Sequence, residues 1–323
     1  MSMLPAIHKA VDFLITAQQQ GQWQDYNLPV GISTEWASGY IGWALAEAAQ
    51  CWNLPQATIA AQQAASYLTQ HRSYPVGWGY NSNTGPDSDS TACVIALLDA
   101  IEYPVAEQDR QFLRLAWCDN EGFITYVDGK GAWAKPHLDI LWPALKGARL
   151  DSVATRWQSL QDKLQTNFNI SQGWQGYWWK GPWYCTFHLL LAAHWQNNKT
   201  DFIFTPEAGP LSVTSFSAAA WIAGSLLLSG HMQAGITLFQ QIIHQQKTDG
   251  SWESSPDLRV TNPDIYIPDD SPQSGKFYAD QNRLMTTASV LRALCTTSQI
   301  VQQTQTTSMG SNKTIEKEFA NDE

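Results

Sequence analysis

Between Pro86 and Ala92 the chain reads PDSDSTA: two aspartates two apart, then Ser90, Thr91 and a long apolar helix. Acids at a helix start are commonly caps, because a side-chain oxygen accepts from a free backbone N–H of the first turn. An acid kept undissociated can instead deliver a proton. Burial and a neighbouring carboxylate both disfavour the charged form, so Asp89 beside Asp87 in a dry site would stay protonated at neutral pH. The stretch follows YPVGWGYNSNTG, which is aromatic and glycine-rich rather than merely polar. Taken alone, PDSDSTA supports cap and acid equally.

The elements that must hold these residues come from a repeat. Gly-aromatic turns end at Trp23, Trp78, Phe123, Trp174 and Trp252, the first four about fifty residues apart. Each follows an amphipathic helix and precedes an apolar one. The amphipathic set is AIHKAVDFLITAQQQ, ATIAAQQAASYLTQH, EQDRQFLRLAWC, VATRWQSLQDKLQTNF and MQAGITLFQQIIHQQ, whose polar faces predict outer helices. The apolar set is EWASGYIGWALAEAA, STACVIALLDAI, HLDILWPALKGA, WYCTFHLLLAAHW, SFSAAAWIAGSLLLSG and RLMTTASVLRAL, which predict inner helices. A helix pair cannot bury its own apolar face, so neighbours must stack. The expected fold is all-α, a single (α/α)6 barrel with inner and outer rings, QW-type turns and one axial cavity. One outer element is degraded, at Gln196 to Thr214. The barrel is expected over residues 1–297, with a polar, disordered tail over 298–323. Asp257 to Gly275 reads as a long proline-rich loop bordering the cavity mouth.

Composition narrows the function. Hydrophobic residues make up 44% of the 323 and charged residues only 15%, so a large core is easily built. The formal net charge of -10 argues against nucleic acid and against anionic membranes. Five scattered cysteines form no C-x-x-C pair, which fits a reducing cytoplasm rather than a disulfide framework. The N-terminal MSMLPAIHKAVDF lacks the basic and apolar regions of a secretion signal. His8, His71, His188, His194, His231 and His244 have no metal-ligand spacing, and no P-loop, nucleotide fingerprint or nucleophile elbow is present. The unusual count is 16 tryptophans. At the repeat turns they are expected to pack beneath helix ends.

These turns resemble the QW repeats of triterpene cyclases, and PDSDSTA resembles the D-x-D-D-T-A acid motif of class II terpene cyclases of the squalene–hopene cyclase superfamily. GISTEWASGY resembles a segment whose Trp borders the active site. FITYVD resembles G-A-Y-D-V-D, and GWQGYWWKGPWYCT aligns without gaps on G-S-W-x-G-R-W-G-x-x-Y-x-Y-G-T. KFYADQNRLMTTASVLRAL resembles the closing helix. The likeness runs from about residue 10 to 297, and the length for one barrel points to the single-domain members. It implies Asp89 as proton donor, Asp87 as its neighbour, Ser90 in place of the last acid and donating to the Asp89 carboxylate, and Asp139 on a family aspartate. It implies Trp36, Trp78, Tyr80, Tyr126, Trp178, Tyr184 and Phe277 as rings that face substrate and cations, with Trp78 and Tyr80 competing for one position. Trp133, Trp183 and Trp221 are expected in core packing. Three departures stand out: Ser90, Ala37 where an Asp is frequent, and Pro143 where a proton-relaying His is expected. His137 should point elsewhere.

The implied reaction is protonation-initiated cyclisation, without a cofactor or metal, of a linear prenylated aromatic acid of the geranylgeranyl dihydroxybenzoate type. The product would be a polycyclic, steroid-like meroterpenoid such as merosterolic acid. DDSPQ at Asp269 to Gln273 lacks the last acid of the D-D-x-x-D that binds magnesium in ionisation-initiated synthases. The expected partner is a lipophilic small molecule, not nucleic acid, with peripheral membrane contact compatible with such a substrate. The expected unit is a cytoplasmic monomer or weak homodimer. Competing readings are a class II cyclase of a prenyl diphosphate or free polyprene, and a prenyltransferase-like barrel, whose Asp-x-Cys zinc spacing is missing. A non-catalytic thioester toroid would need G-C-G-E-Q, which is absent.

Overall fold

The computed structural model describes residues 3–149, 153–195, 215–270 and 275–298. In chain order its helices are α1 (Leu4–Thr16), α2 (Glu35–Trp52), α3 (Pro55–Gln70), α4 (Ser88–Ala100), α5 (Glu107–Leu115), α6 (Leu141–Ala148), α7 (Val153–Thr166), α8 (Trp183–Trp195), α9 (Phe216–Leu228), α10 (Met232–His244) and α11 (284–298). Burial sorts them into two rings. In α4 every residue from Ser90 to Leu98 is buried, whereas α3 buries only the stripe Ala57, Ala60, Ala61, Ala64, Ala65 and Leu68. Such a stripe is what a surface helix presents to a core. Among the described residues, α2, α4, α6, α8, α9 and α11 form the inner ring, and α1, α3, α5, α7 and α10 the outer one. The expected degraded outer element at Gln196 to Thr214 lies outside the described residues, as does the tail beyond Ser298.

The inner ring runs α2–α4–α6–α8–α9 by direct contact. Gly39 and Gly42 let α2 approach α4 closely: a Cβ at either would fall within 2.8 Å of Val94 or 2.7 Å of Leu97. Helix α11 closes the circle. Its Ser289 hydroxyl lies 3.0 Å from the Tyr40 hydroxyl of α2, and Arg292 Nε donates to Glu47 at 3.1 Å. Asp25, at the start of β1 (Asp25–Leu28), accepts from the N–H groups of Gln281, Asn282 and Leu284. The first repeat thus caps the last inner helix.

The repeat turns share one hydrogen-bond pattern. Trp23, Trp78, Trp174 and Trp252 each donate the indole N–H to a carbonyl at the end of the preceding outer helix: Leu14, Leu68, Leu164 and Ile242, at 2.7–2.9 Å. Each acceptor is the third residue from its helix end, where carbonyls lose their intrahelical partners. The backbone N–H of each Trp meets a hydroxyl on the next inner helix: Ser38, Thr91, Thr186 and Thr287. Each hydroxyl belongs to the fourth residue of its helix. The turns therefore stitch the outer ring to the inner one. In the third repeat Phe123 has no side-chain N–H to give and packs edge-on against Trp117 at 5.1 Å.

The inner helices that the tryptophan turns stitch begin at one end of the ring, here called the mouth. Short hairpins line it: β1 with β2 (Gly31–Ser33), β3 (Trp117–Cys118) with β4 (Gly122–Phe123), and β5 (Pro256–Val260) with β6 (Lys276–Ala279). The expected loop from Asp257 is corrected here, since it opens within a strand. The aromatic-rich segment 178–180 pairs beside β5: Arg259 N–H donates to Trp178 O and Lys180 N–H to Asp257 O, both at 2.7 Å.

Trp174→Phe keeps the ring but strands the Leu164 carbonyl. It should lower stability by about 1–3 kcal/mol, measured by urea denaturation, with no change in far-UV circular dichroism.

Candidate active site

The question raised by PDSDSTA has a structural answer. Asp87 is the cap: its Oδ1 accepts the Ser90 N–H at 2.7 Å, and its Oδ2 accepts the Ser90 hydroxyl at 2.7 Å. Asp89 is left free of that duty. Its one close side-chain contact of hydrogen-bond type is a weak one, from Cys93 Sγ at 3.9 Å. Asp89 is only partly exposed. Burial raises its pKa well above the carboxylate range, and the acids Asp87 and Asp139 add to the shift. Burial also pushes Asp87 up, to about 7, against the pull of its Ser90 hydrogen bonds. The arrangement holds an undissociated acid at neutral pH, able to give a proton to a weakly basic group.

Asp139 lies beside the start of α6. It is also raised by burial, while the Tyr177 N–H holds it partly down. Its carboxyl takes the backbone N–H groups of Tyr177 (2.8 Å) and Trp178 (3.3 Å). From the other side, the fully buried Arg259 donates to the carbonyls of Gly176 and Tyr177. The segment that carries Trp178 and Trp179 is therefore clamped on both backbone edges.

Successive side chains of a strand point to opposite faces, and these two tryptophans enter two separate ring groups. Trp178 meets Tyr126 (6.2 Å), Trp133 (5.7 Å), Tyr177 (4.9 Å) and His137 (5.6 Å). Its indole N–H donates to Thr125 Oγ1 at 3.0 Å, which in turn meets His137 Nδ1 at 2.8 Å. Burial lowers His137 to about 3, so it stays neutral. It serves Thr125 and stacks on Tyr177 at 4.0 Å, away from Asp89 as expected. Trp179 enters the second group, around Trp36. There Tyr26 and Tyr80 stack on Trp36 at 5.8 and 5.9 Å, and Tyr40 and Trp179 tilt against it at 6.4 and 6.3 Å. Trp179 continues to Tyr184 (4.6 Å) and Trp221 (5.1 Å).

Of the residues expected at the site, Asp87, Asp89, Asp139, Trp36, Tyr80, Tyr126, Trp178 and Tyr184 lie in this assembly. Three expectations are corrected. Trp78 points away, bonded to Leu68 with the Arg72 guanidinium 4.3 Å over its ring, as one of the four stitching tryptophans. Tyr80 alone takes the contested position. Phe277 faces outward on β6, with Lys180 and Arg259 over its ring at 5.5 and 5.9 Å. Its neighbour Tyr278 is the inward residue of that strand. Ser90 spends its hydroxyl on Asp87, not Asp89. The sequence reading missed Tyr26 and Trp179. Tyr26 adopts φ 44°, a strained conformation for a bulky residue, at a break in the β1–β2 register. For Trp179 the adjacent Trp pair was the available signal.

A surface depression of about 800 Å³ between α9 and α10, lined by Phe216, Thr237 and Gln241 among others, includes neither Asp89 nor any other acid in its lining.

No family model and no curated protein matches the chain. Solved structures do. The type II terpene cyclase MstE from Scytonema, in its apo form, is 25% identical over 92% of this chain and 98% of its own, with TM-score 0.75. An MstE variant in complex with merosterolic acid A (product) is 25% identical over 90% and 96%, with TM-score 0.73. Another, in complex with geranylgeranyl dihydroxybenzoate (substrate), is 24% identical over 91% and 97%, with TM-score 0.76. By structure, the chain is similar to these single-barrel type II terpene cyclases.

Cap and acid separate cleanly in this chain. Asp87→Ala should cost about 0.5–2 kcal/mol, whereas Asp89→Asn should leave stability unchanged or raise it, by thermal or urea melts. Asp87→Asn can keep the N–H cap but cannot ionise. Because the folded pKa of Asp87 is raised to about 7 from 3.8, its stabilising contribution is full below pH 4 and is lost as pH rises to 7. The variant should therefore gain stability relative to wild type across that window and not beyond it.

Proposed function

We propose that the chain cyclises a linear prenylated aromatic acid of the geranylgeranyl dihydroxybenzoate type into a polycyclic meroterpenoid such as merosterolic acid. The observation that carries this reading is Asp89: an acid relieved of capping, kept neutral by burial and two further acids, and only partly exposed. The Asp89 O–H protonates the terminal alkene, whose π electrons form the new C–H bond and leave a tertiary cation. Each internal alkene then attacks in turn, closing rings. Loss of one proton from the last cation ends the sequence, and Asp89 takes one proton back from the medium. Product and substrate are thus isomers.

The rings of Trp36, Tyr80, Tyr26, Trp179 and Tyr184 offer π faces without a nucleophile, each contributing about 0.5–2 kcal/mol to a cation placed over it. Trp36 has a second part. Among the described residues its buried indole N–H has no acceptor in hydrogen-bonding geometry, yet it lies close enough to Asp89 to pull its pKa down. An unpaired buried donor is costly at rest. It gains an acceptor once Asp89 becomes a carboxylate, so it favours the charge-separated state. This takes the part expected of Ser90. Asp139 is a positioning residue, holding Trp178 through its backbone N–H.

A lipophilic substrate supports docking of the mouth on a neutral bilayer. Val30, Ile32, Val127, Tyr266, Ile267 and Phe277 are exposed on the loops and strands that precede α2, α6 and α11, all at the mouth end. Among the described residues no helix is long and apolar enough to cross a membrane. The reading needs residues from one copy of the chain only.

Incubation with geranylgeranyl dihydroxybenzoic acid in EDTA should yield a polycyclic product of unchanged mass, by mass spectrometry and NMR. Asp89→Asn should abolish it. Trp36→Phe, which keeps a ring and loses the N–H, should lower kcat by roughly tenfold or more with little change in KM. Turnover only of a prenyl diphosphate with magnesium would replace the substrate class, and activity in Asp89→Asn would remove Asp89 as the donor. Co-sedimentation with phosphatidylcholine vesicles that is unaffected by Ile32→Asp and Ile267→Asp would rule out mouth docking.

A further inference from the structure

Trp179 occupies a position that no neighbouring ring shares. Its partners come from three inner helices: Trp36 from α2, Tyr184 from α8 and Trp221 from α9. In the order α2–α4–α6–α8–α9–α11, α2 and α8 stand on opposite sides of the ring. A side chain that touches both lies on the barrel axis. It enters from the clamped segment at the mouth rather than from the barrel wall, and it is nearly inaccessible, at 3%. The indole stacks on Tyr184 with only 13° between planes and meets Trp221 edge-on at 80°. The Asp139 and Arg259 clamp and the strand pairing with β5 fix its backbone, so the ring cannot leave by a simple shift of the loop.

Resting on the cyclase reading above, we infer that Trp179 sets the length of prenyl chain that the barrel axis accepts. Size decides the unit of change. Truncating an indole to a methyl group frees space on the order of the ~150 Å³ that holds one benzene ring. A five-carbon isoprene unit is of similar bulk. The substitution Trp179→Ala should therefore move the chain-length window by one isoprene unit, not by a single methylene and not by a whole substrate.

The test measures kcat/KM for farnesyl, geranylgeranyl and geranylfarnesyl dihydroxybenzoate with wild type, Trp179→Phe and Trp179→Ala. Binding of the same three compounds is followed by tryptophan fluorescence in Asp89→Asn backgrounds, where no turnover is expected. Even one methylene of fit is worth about tenfold or more in an apolar pocket. Trp179→Ala should shift the long-to-short ratio by at least tenfold in both kcat/KM and affinity, and Trp179→Phe by less in the same direction. An unchanged ratio, or an equal loss on all three compounds, would mean that Trp179 only packs, and the inference would fall. Absence of turnover in wild type would instead overturn the cyclase reading. The chain-length dependence of binding would still judge Trp179, and Trp179→Phe does so if the alanine variant does not fold.

Discussion

Asp87 accepting both the N–H and the hydroxyl of Ser90 is the contact on which the site depends. A helix start must satisfy free N–H groups, and in most proteins the nearest acid does so and is thereby ionised and spent. Here the cap is taken two residues before Asp89. Asp89 then has no donor of comparable strength, and nothing on α4 competes for its proton. A serine in the third position is what lets this work, because its two donors turn Asp87 into a fully occupied acceptor. A third acid there would have added repulsion instead.

Several buried acids around the site are shifted upward by the fold. Asp87, Asp89 and Asp139 are all raised by burial, and Asp280, which caps α11, is pushed to about 6 by burial and by Asp25. Such groups weaken a protein as pH rises, because the unfolded chain releases protons that the folded one retains. The stitching tryptophans and the closed inner ring supply the stability that tolerates this. Deeper in the barrel, Arg292 keeps its charge: burial opposes it, but Glu47 and nearby phenols outweigh that cost. Its guanidinium lies 3.4 Å over the Trp43 ring and meets His188, which burial holds neutral.

Much of this architecture was legible in the sequence. Helix period and the recurring Gly-aromatic turns identified every inner and outer helix among the described residues, because burial on one face or all round is a local property of the pattern. The same turns implied that their tryptophans pack beneath helix ends. Residue type also marked Asp89, Trp36, Tyr80, Tyr126, Trp178 and Tyr184 for the site. What the sequence left open was direction. Trp78 and Tyr80 are two apart on an irregular turn, and only the hydrogen bond to Leu68 decides which is structural. Phe277 and Tyr278 alternate on a strand whose register is set by β5, far away in sequence.

The chain by itself determined the ring of helix pairs, the acid pair and the wealth of aromatic side chains, since each follows from residue types at short range. Tertiary structure alone decided which aspartate caps and which stays free, which rings face Asp89, and that Trp179 lies on the axis. Those outcomes depend on distances between segments tens to hundreds of residues apart. Desolvation of a carboxyl and the meeting of rings from opposite helices exist only once the barrel has closed.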